Sequence, residues 1–138
     1  MEYRLVDRLP TVEEFVEVTR AVGWTDAYDP AAIPASLAAS LHAVVAVEGD
    51  RVIGLGRLIG DGAIYYYLQD LAVRPEWQRR GVGAAIVRRL EEWVAGRASS
   101  RTFIGLFAAG DSVSLYRRFG YAVHDDMTGM FRVGPWRG

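Results

Sequence analysis

The stretch LAVRPEWQRRGVGAAIVRRLEEW, residues 71–93, runs from an apolar segment through a proline and a polar turn into an amphipathic helix. One face of that helix is apolar and carries Val82, Ile86, Leu90, Trp93 and Val94. Two arginines and two glycines fall in its first turn, residues 78–83. A helix N-terminus exposes unpaired backbone N–H groups and carries about half a positive charge. The turn is therefore predicted to bind an anion, because glycines let a ligand approach the backbone and arginines add positive charge.

The same glycines also have a purely structural explanation, in which they pack a helix closely against a strand while the arginines are solvated. Two common phosphate-binding motifs do not fit. A P-loop requires Gly-Lys-Ser/Thr, whereas Gly83 is followed by Ala84 and Ala85. A dinucleotide-binding fingerprint requires a third glycine where Ile86 stands, and an acidic residue about 20 positions later. The turn is thus predicted to hold a different phosphate ligand, if it holds one.

Composition predicts one globular domain spanning residues 1–138, since 51% of the residues are hydrophobic. Sixteen basic and 17 acidic residues leave a net charge of -1, so neither nucleic acid nor a membrane surface is an expected partner. The chain has no cysteine and only two histidines, His42 and His124, so no metal is expected. No apolar run approaches the roughly 18 residues of a membrane span, and a cytoplasmic protein is predicted.

Hydrophobic periodicity and turn residues predict the order β-α-α-β-β-β-α-β-α-β-β. Thr11 and Glu14 form a capping-box pattern at the start of the first helix, and Pro30 precedes the second. The remaining predicted elements are strands at 2–6, 42–48, 52–60, 63–73 and 101–109, helices from Gly81 and over 111–120, and closing strands near 121–124 and 127–133. This order indicates an α+β (mixed α/β) domain, with helices on both faces of one central sheet.

Two segments resemble those of the GNAT superfamily of N-acetyltransferases. LQDLAVRPEWQRRGVGAAIVRRL, residues 68–90, resembles the acetyl-coenzyme A binding segment, with its Gln/Arg-x-x-Gly-x-Gly/Ala motif. GLFAAGDSVSLYRRFGY, residues 105–121, resembles the later strand-helix segment, which ends in Leu-Tyr-x-x-x-Gly-Phe. Within the superfamily, GLGRLIGDG at 54–62 and GMFRV at 129–133 are most similar to a small bacterial branch that resembles the plant serotonin N-acetyltransferases.

The resemblance implies a mostly antiparallel central sheet with one splayed pair of parallel strands. It implies acetyl-coenzyme A as co-substrate, with pantetheine against the backbone of Leu71, Ala72 and Val73. The pyrophosphate would lie on the turn formed by Gln78, Arg79, Arg80, Gly81, Val82, Gly83 and Ala84. Tyr116 would be the acid that protonates the leaving thiolate. Many members carry an asparagine where this chain has Ala109, so the corresponding contact comes from Ser112 or is absent.

Acetyl transfer from a thioester to an amine needs a base, a stabilised oxyanion and an acid. It needs no covalent enzyme intermediate, which fits a chain without cysteine. A backbone N–H within residues 71–73 is a candidate for polarising the carbonyl. Asp70 is the candidate base, with Asp26 or Asp61 acting through water as alternatives; Asp70 has the equally good interpretation of an ion pair with a neighbouring arginine. Strict alternation places Asp70 on the face of Tyr66 and Leu68, unless a bulge intervenes.

The predicted function is transfer of an acetyl group to a small primary amine by direct attack in a ternary complex. The alternative is a catalytically weak acyl-coenzyme A binding or sensing domain, which the alanine at 109 favours. Aspartates beside aromatic residues suit a cationic acceptor such as an arylalkylamine, with a peptide N-terminus, an amino sugar or an antibiotic as alternatives. These residues are Trp24, Asp26, Tyr28, Asp29, Asp61 and Tyr65. A homodimer is common in the family, and the apolar closing strands offer a surface for one.

Overall fold

The computed structural model describes residues 2–134 and 136, which form two compact units, Met1–Leu106 and Phe107–Gly138. The first unit is built on a five-stranded sheet with the strand order β1-β2-β3-β4-β5. Its strands are β1 (Arg4–Asp7), β2 (His42–Glu48), β3 (Arg51–Gly60), β4 (Tyr65–Val73) and β5 (Phe103–Gly105). Neighbouring strands are antiparallel except β4 and β5, which are parallel. The predicted fold class, with its single parallel pair, is confirmed.

The first unit contains three α-helices, namely α1 (Val12–Ala21), α2 (Ile33–Ala38) and α3 (Val82–Ala95). The predicted capping box begins α1: the Thr11 side chain accepts from the Glu14 N–H, and the Glu14 side chain accepts from the Thr11 N–H. A 3-10 turn, Pro30–Ala32, leads into α2 and is capped by the Asp29 carboxylate. Local sequence signals therefore fix where these helices begin.

The helices cover the two faces of the sheet. On one face, Phe15 and Val18 of α1 and Leu37 of α2 pack in a buried cluster with Leu55 of β3. On the other face α3 lies very close to β3, since a Cβ built on Gly56 would stand 3.0 Å from Ile86 and 3.2 Å from Leu90. Glycine at position 56 is thus required by the close approach of the helix rather than by a turn.

A β-bulge interrupts the pairing of β3 with β4. Leu55 pairs with Ala72 and Arg57 with Gln69, so Asp70 and Leu71 together lie opposite the single residue Gly56. Asp70 adopts φ +60°, a left-handed conformation that aspartate tolerates better than most residues. The bulge turns Asp70 toward Tyr28 and Arg57. The strict alternation that groups Asp70 with Tyr66 and Leu68 is therefore wrong at this position.

In the described part of the second unit there is one helix, α4 (Val113–Arg117); Gly120, at φ +91°, lies shortly beyond its end. The predicted closing strands at 121–124 and 127–133 are wrong: within residues 2–134 and 136 the structure has only an isolated bridge between His124 and Met127. Two short strands on their own bury too little apolar surface to be stable. Several large apolar side chains are accordingly exposed here, namely Val123, Met127, Met130, Phe131 and Val133.

The strand predicted over 101–109 is also shorter in the structure, where β5 covers only Phe103–Gly105. Ala108, Ala109 and Gly110 have weak strand propensity, and Gly110 adopts φ +58°. None of the helices in the described part of the chain is long and apolar enough to cross a membrane.

Candidate functional site

The N-terminus of α3 presents unpaired backbone donors to open space. Its N-cap is Gly81 at φ +82°, and its first hydrogen bond runs from the Ala85 N–H to the Gly81 carbonyl at 3.0 Å. The N–H groups of Val82, Gly83 and Ala84 therefore precede the helical hydrogen-bond ladder. A Cβ on Gly81 would meet no atom within 4 Å, so the space beside the N-cap residue is open. This geometry suits an anion.

The turn before α3 is held in an unusual backbone conformation. Arg79 adopts φ +63°, two residues before the left-handed Gly81. Within residues 2–134 and 136, Arg79 and Asp70 are the two non-glycine residues with positive φ, and both lie in the region that the sequence singles out. Such conformations concentrate at functional sites. Trp77, 2% exposed, anchors the turn, and the Arg80 guanidinium lies 5.3 Å from its ring centroid.

The predicted coenzyme-binding segments are adjacent in the structure. Strand β5 pairs with β4 only over Tyr65–Tyr67, so the later half of β4 pairs with β3 alone among the strands of the first unit. The Gln78 side chain donates a 2.9 Å hydrogen bond from Nε2 to the Val73 carbonyl. It thereby ties the turn at 78–84 to the end of β4. A half-free strand edge beside an open helix N-terminus fits an elongated ligand that carries a pyrophosphate.

The bulge residue Asp70 is part of a buried polar network. Its Oδ2 accepts a 2.6 Å hydrogen bond from Nε of Arg57, and its Oδ1 accepts a 2.7 Å hydrogen bond from the Tyr28 hydroxyl. Burial, and then the bond to Asp70, raise the pKa of Tyr28. The interpretation of Asp70 as the partner of an arginine is thus observed. Its role as a base stays a prediction.

Sequence reasoning missed Arg57, which is 7% exposed and donates to four oxygens. Besides Asp70, it donates to the Ser36 carbonyl at 2.9 Å, the Ser36 hydroxyl at 2.9 Å and the Ser40 hydroxyl at 3.1 Å. A usable signal was present, since Arg57 is the one charged residue in the apolar run VIGLGRLIG, residues 52–60. A charge inside a buried strand requires a partner.

A cavity of about 220 Å3 lies between the α1–α2 segment and the sheet. It is lined by Phe15, Ala27, Tyr28, Asp29, Ala32, Ile33, Ser36, Leu37 and Arg57. Of the six residues predicted near the acceptor, Tyr28 and Asp29 line this cavity. The other four, Trp24, Asp26, Asp61 and Tyr65, are not among the described residues that line it. The cavity is therefore mostly apolar, with four polar or charged residues among those that line it, namely Tyr28, Asp29, Ser36 and Arg57.

Asp61 is occupied in its own turn. Its Oδ1 accepts hydrogen bonds of 2.8–2.9 Å from the N–H groups of Ala63, Ile64 and Tyr65. These bonds, the one from Tyr65 first, lower the pKa of Asp61. A carboxylate stabilised in this way is a poor proton acceptor near neutral pH, which weighs against the alternative of Asp61 as a base.

Tyr116 lies on α4 of the second unit and is 7% exposed. Burial raises the pKa of its hydroxyl to about 12, so the group keeps its proton at neutral pH and is able to donate it. The Ser112 hydroxyl donates to the Ala109 carbonyl at 2.6 Å. A coenzyme contact from Ser112 remains a prediction; its hydroxyl proton is already engaged within the helix-start turn.

No cluster of three or more potential metal-ligating side chains occurs among residues 2–134 and 136. The chain carries no cysteine, so a thiolate nucleophile is excluded by the sequence itself.

Comparison with known proteins identifies the family. The sequence model of the acetyltransferase (GNAT) family matches residues 9–121. The chain belongs to this family. A probable acetyltransferase of meticillin-resistant Staphylococcus aureus has a similar structure, with a TM-score of 0.89 and 25% identity over 96% of this chain and 100% of that one. A GNAT family acetyltransferase of Streptococcus pneumoniae TIGR4 has a TM-score of 0.79 and 28% identity over 96% of this chain and 98% of that one.

Curated relatives include plant proteins. The histone acetyltransferase TAP1 of Glycine max is 31% identical over 102 residues, which cover 69% of this chain and 43% of that protein. The chloroplastic serotonin N-acetyltransferase 2 of Oryza sativa subsp. japonica is 33% identical over 76 residues, 55% of this chain and 37% of that protein. The chain thus spans less than half the length of these curated relatives.

Proposed function

We propose that the protein is an N-acetyltransferase that moves the acetyl group of acetyl-coenzyme A directly to a small primary amine in a ternary complex. One observation carries the proposal: the half-free edge of β4 ends beside the open N-terminus of α3, and Gln78 joins the two. Family membership supports the acetyl transfer. The acceptor and the mechanism are part of the proposal.

The pantetheine of the coenzyme would lie along β4, and its pyrophosphate would lie on the turn. The backbone of Leu71, Ala72 and Val73 would bind pantetheine in the manner of an added strand. The amides of residues 79–84 would hold the pyrophosphate, with Arg79 and Arg80 adding positive charge. When bound, the coenzyme supplies an activated acetyl group as its thioester. No metal is part of this scheme.

The remaining chemistry falls to the chain's own groups. A backbone N–H of the segment 71–73, directly after the bulge, would donate to the oxygen that becomes negative in the tetrahedral intermediate. The amine must lose a proton, and Asp70, or Asp26 through water, is the proposed acceptor. Tyr116 is proposed as the acid for the departing thiolate, because its position matches the tyrosine of the second motif.

The acceptor is proposed to be an aromatic or otherwise apolar amine that enters as a cation. The cavity supports this, because Phe15, Tyr28 and Asp29 all line it. The charge of Arg57 in the same wall is compensated by Asp70, so it does not repel an ammonium group. The similarity to a serotonin N-acetyltransferase points the same way.

We further propose that two copies associate through the second unit, where apolar side chains such as Met130 and Phe131 are 86% and 78% exposed. Exposed apolar clusters of this kind are typical of interaction surfaces. Analytical ultracentrifugation would test the dimer.

A cytoplasmic location is also proposed, since a chain without cysteine forms no disulfide bond in an oxidising compartment.

The decisive experiment measures free coenzyme A released from acetyl-coenzyme A with a panel of amines, alongside coenzyme binding by calorimetry. Amine-dependent release establishes the enzyme. Tight binding of acetyl-coenzyme A without release for any amine, peptide or amino sugar in the panel would instead assign the alternative, a binding or sensing domain. Absence of binding would overturn both.

A further inference from the structure

Arg57 connects three separate parts of the first unit. Its Nε bonds to Asp70 in the bulge of β4, and its two terminal nitrogens bond to Ser36 in α2 and to Ser40 just after it. Both side chains of the Arg57–Asp70 pair are 9% exposed. Every nitrogen of the guanidinium therefore has an acceptor, which satisfies the charge in this buried place.

Tyr28 extends the same network to the segment between α1 and α2. Its hydroxyl donates to Asp70, while its ring packs edge-on against Phe15 with centroids 5.1 Å apart. Tyr28, Ser36 and Arg57 all line the cavity proposed for the acceptor. Through the Arg57 guanidinium and the Tyr28 phenol, the wall of that cavity is thus hydrogen-bonded to the Asp70 carboxylate in the bulge.

The bulge sets the backbone direction of the residues that follow it. Asp70 is held at φ +60°, and Leu71, the first of the residues proposed to contact the coenzyme, follows it directly. A left-handed aspartate costs backbone free energy, and two hydrogen bonds on its carboxylate offset that cost. Removing them would allow the bulge to relax and the N–H groups that follow to change direction.

We propose that Arg57 is a positioning residue for acetyl transfer: it fixes the acceptor cavity, through α2, relative to the backbone at Leu71–Val73. The inference rests on the proposed acetyltransferase function. Arg57 touches neither reacting group; it acts through Asp70 and Ser36. A small misplacement of two reacting groups is enough to slow a bimolecular reaction about 100-fold. Arg57 is thereby expected to influence turnover far more than coenzyme binding.

Arginine suits this position because its planar guanidinium directs donors to several acceptors at once, whereas lysine offers one compact charge. Arg57→Lys preserves the charge beside Asp70 and cannot reach both serines and the carboxylate together. Arg57→Gln removes the charge as well. The two variants separate the contribution of the charge from that of the connection to α2.

Arg74 provides a matched control. It is also buried, at 8% exposure, and also joins elements of the first unit through bonds to the Val52 carbonyl and to Glu17. It makes none of these bonds to the bulge or to α2. Arg74→Gln and Arg57→Gln should therefore both lower the melting temperature, and comparison of the two separates positioning from general loss of stability.

The test measures kcat, KM for the amine and Kd for acetyl-coenzyme A well below the melting temperature of every variant. We expect kcat to fall about 10- to 100-fold in Arg57→Gln and less in Arg57→Lys, with a much smaller change in coenzyme Kd. Arg74→Gln should retain the wild-type kcat. Equal kcat values in Arg57→Gln and Arg74→Gln would overturn the proposal, and so would a change in Arg57→Gln confined to coenzyme Kd.

Asp70→Asn distinguishes positioning from proton transfer. Asparagine also tolerates φ near +60°, so the bulge survives while the charge is lost. Positioning predicts a lower kcat with an unchanged pH profile in Arg57→Gln. It predicts a lower kcat in Asp70→Asn as well, and that variant also loses the rising pH limb if Asp70 is the proposed base. Loss of the rising pH limb in Asp70→Asn, with normal turnover in Arg57→Gln, would overturn the proposal and assign Asp70 as the base.

Hydrogen exchange separates failure of this inference from failure of the proposed function. Amides of α2 and of Leu71 should exchange faster in Arg57→Gln than in Arg74→Gln, whether or not any amine is acetylated. If the wild-type protein releases no coenzyme A with any amine, the proposed function fails. The exchange rates still show whether Arg57 connects α2 to the bulge. Identical exchange in the two variants overturns the positioning role.

Discussion

Gln78 donates a 2.9 Å hydrogen bond from its side chain to the backbone carbonyl of Val73, the last residue of β4. The bond fixes the end of the strand relative to the turn that begins α3. A single ligand that contacts both the strand edge and the helix N-terminus therefore meets them at a set spacing. Gln78 is exposed, so this bond shapes the site more than it stabilises the fold.

Gly83→Val should weaken acetyl-coenzyme A binding without unfolding the protein. Gly83 lies inside α3, where its backbone needs no glycine, and valine adds a branched side chain beside the amides proposed to hold the pyrophosphate. Loss of one charge-assisted hydrogen bond corresponds to about 10- to 100-fold in Kd. Isothermal titration calorimetry measures the change.

Gly96→Val, at the other end of the same helix, is the control. A Cβ at Gly96 would meet only backbone carbonyls, at 3.7 Å and beyond, so the substitution is tolerated and far from the N-terminal amides. Coenzyme affinity should stay at the wild-type value in this variant. Equal coenzyme affinities in folded Gly83→Val and Gly96→Val would contradict the proposed binding of the pyrophosphate to the turn.

Tyr116→Phe should reduce turnover and leave coenzyme affinity unchanged, because it deletes a hydroxyl and keeps the buried ring. If the hydroxyl protonates the thiolate, the loss in kcat is about 100- to 10,000-fold, the usual range for general acid catalysis. Steady-state kinetics with saturating amine measures it. Tyr121→Phe is the matched control, since its ring lies 6.0 Å from that of Tyr116 and phenylalanine is the residue expected at its motif position. Wild-type kcat in Tyr116→Phe would reduce Tyr116 to a packing residue.

Asp61→Ala should destabilise the turn before β4 and leave the pH dependence of kcat unchanged. The pKa of Asp61 is lowered in the folded protein, so its stabilising effect is complete above the unfolded value of 3.8 and disappears as the pH falls through the folded pKa. The difference in melting temperature from wild type should therefore be clear at neutral pH and shrink in strong acid. A shifted kcat profile in this variant would make Asp61 the base after all.

Local signals explain how much of the fold the sequence could predict. The Thr11–Glu14 capping box and the apolar face of α3 depend on residues within a few positions of each other, and both were predicted correctly. The bulge at Asp70 depends on pairing with β3, and the alternation of residues within β4 alone carries no information about that pairing. The closing strands failed for a related reason: apolar residues near Met130 predict a strand, and pairing needs a partner that the described chain does not provide.

The candidate site likewise has one part that local sequence predicts and another part that only the structure reveals. The turn at 78–84 was predictable because the backbone of a glycine-rich helix start defines it almost alone. The network around Arg57 was not, because Tyr28, Ser36 and Asp70 come from distant parts of the chain. Asp70 was singled out by its place in the strand, and only the structure shows which residues its carboxylate contacts.

The rate should rise with pH from neutral to mildly alkaline values, with no falling limb from Tyr116 in that range. An ammonium acceptor must lose its proton before it attacks, so the reactive fraction grows with pH. The pKa of Tyr116 is raised to about 12, so this acid stays protonated until far more alkaline conditions. Measurement of kcat/KM from about pH 6.5 to about pH 9.5 checks this. A decline between about pH 8 and about pH 9 would exclude a tyrosine with this pKa as the acid.

Tryptamine-like and phenethylamine-like amines should be better acceptors than the corresponding amino acids. The net charge of the chain is only -1, so attraction of a cationic acceptor must come from nearby carboxylates, and Asp29 lines the cavity. An amino acid brings its own carboxylate, which Asp29 repels. Among the described residues that line the cavity, the one cation is Arg57, and it is paired with Asp70. Kinetics with matched pairs, tryptamine against tryptophan and phenethylamine against phenylalanine, isolate that one group. Asp29→Asn should narrow the difference within each pair, and amino acids used as well as the amines by the wild-type protein would contradict the proposed acceptor class.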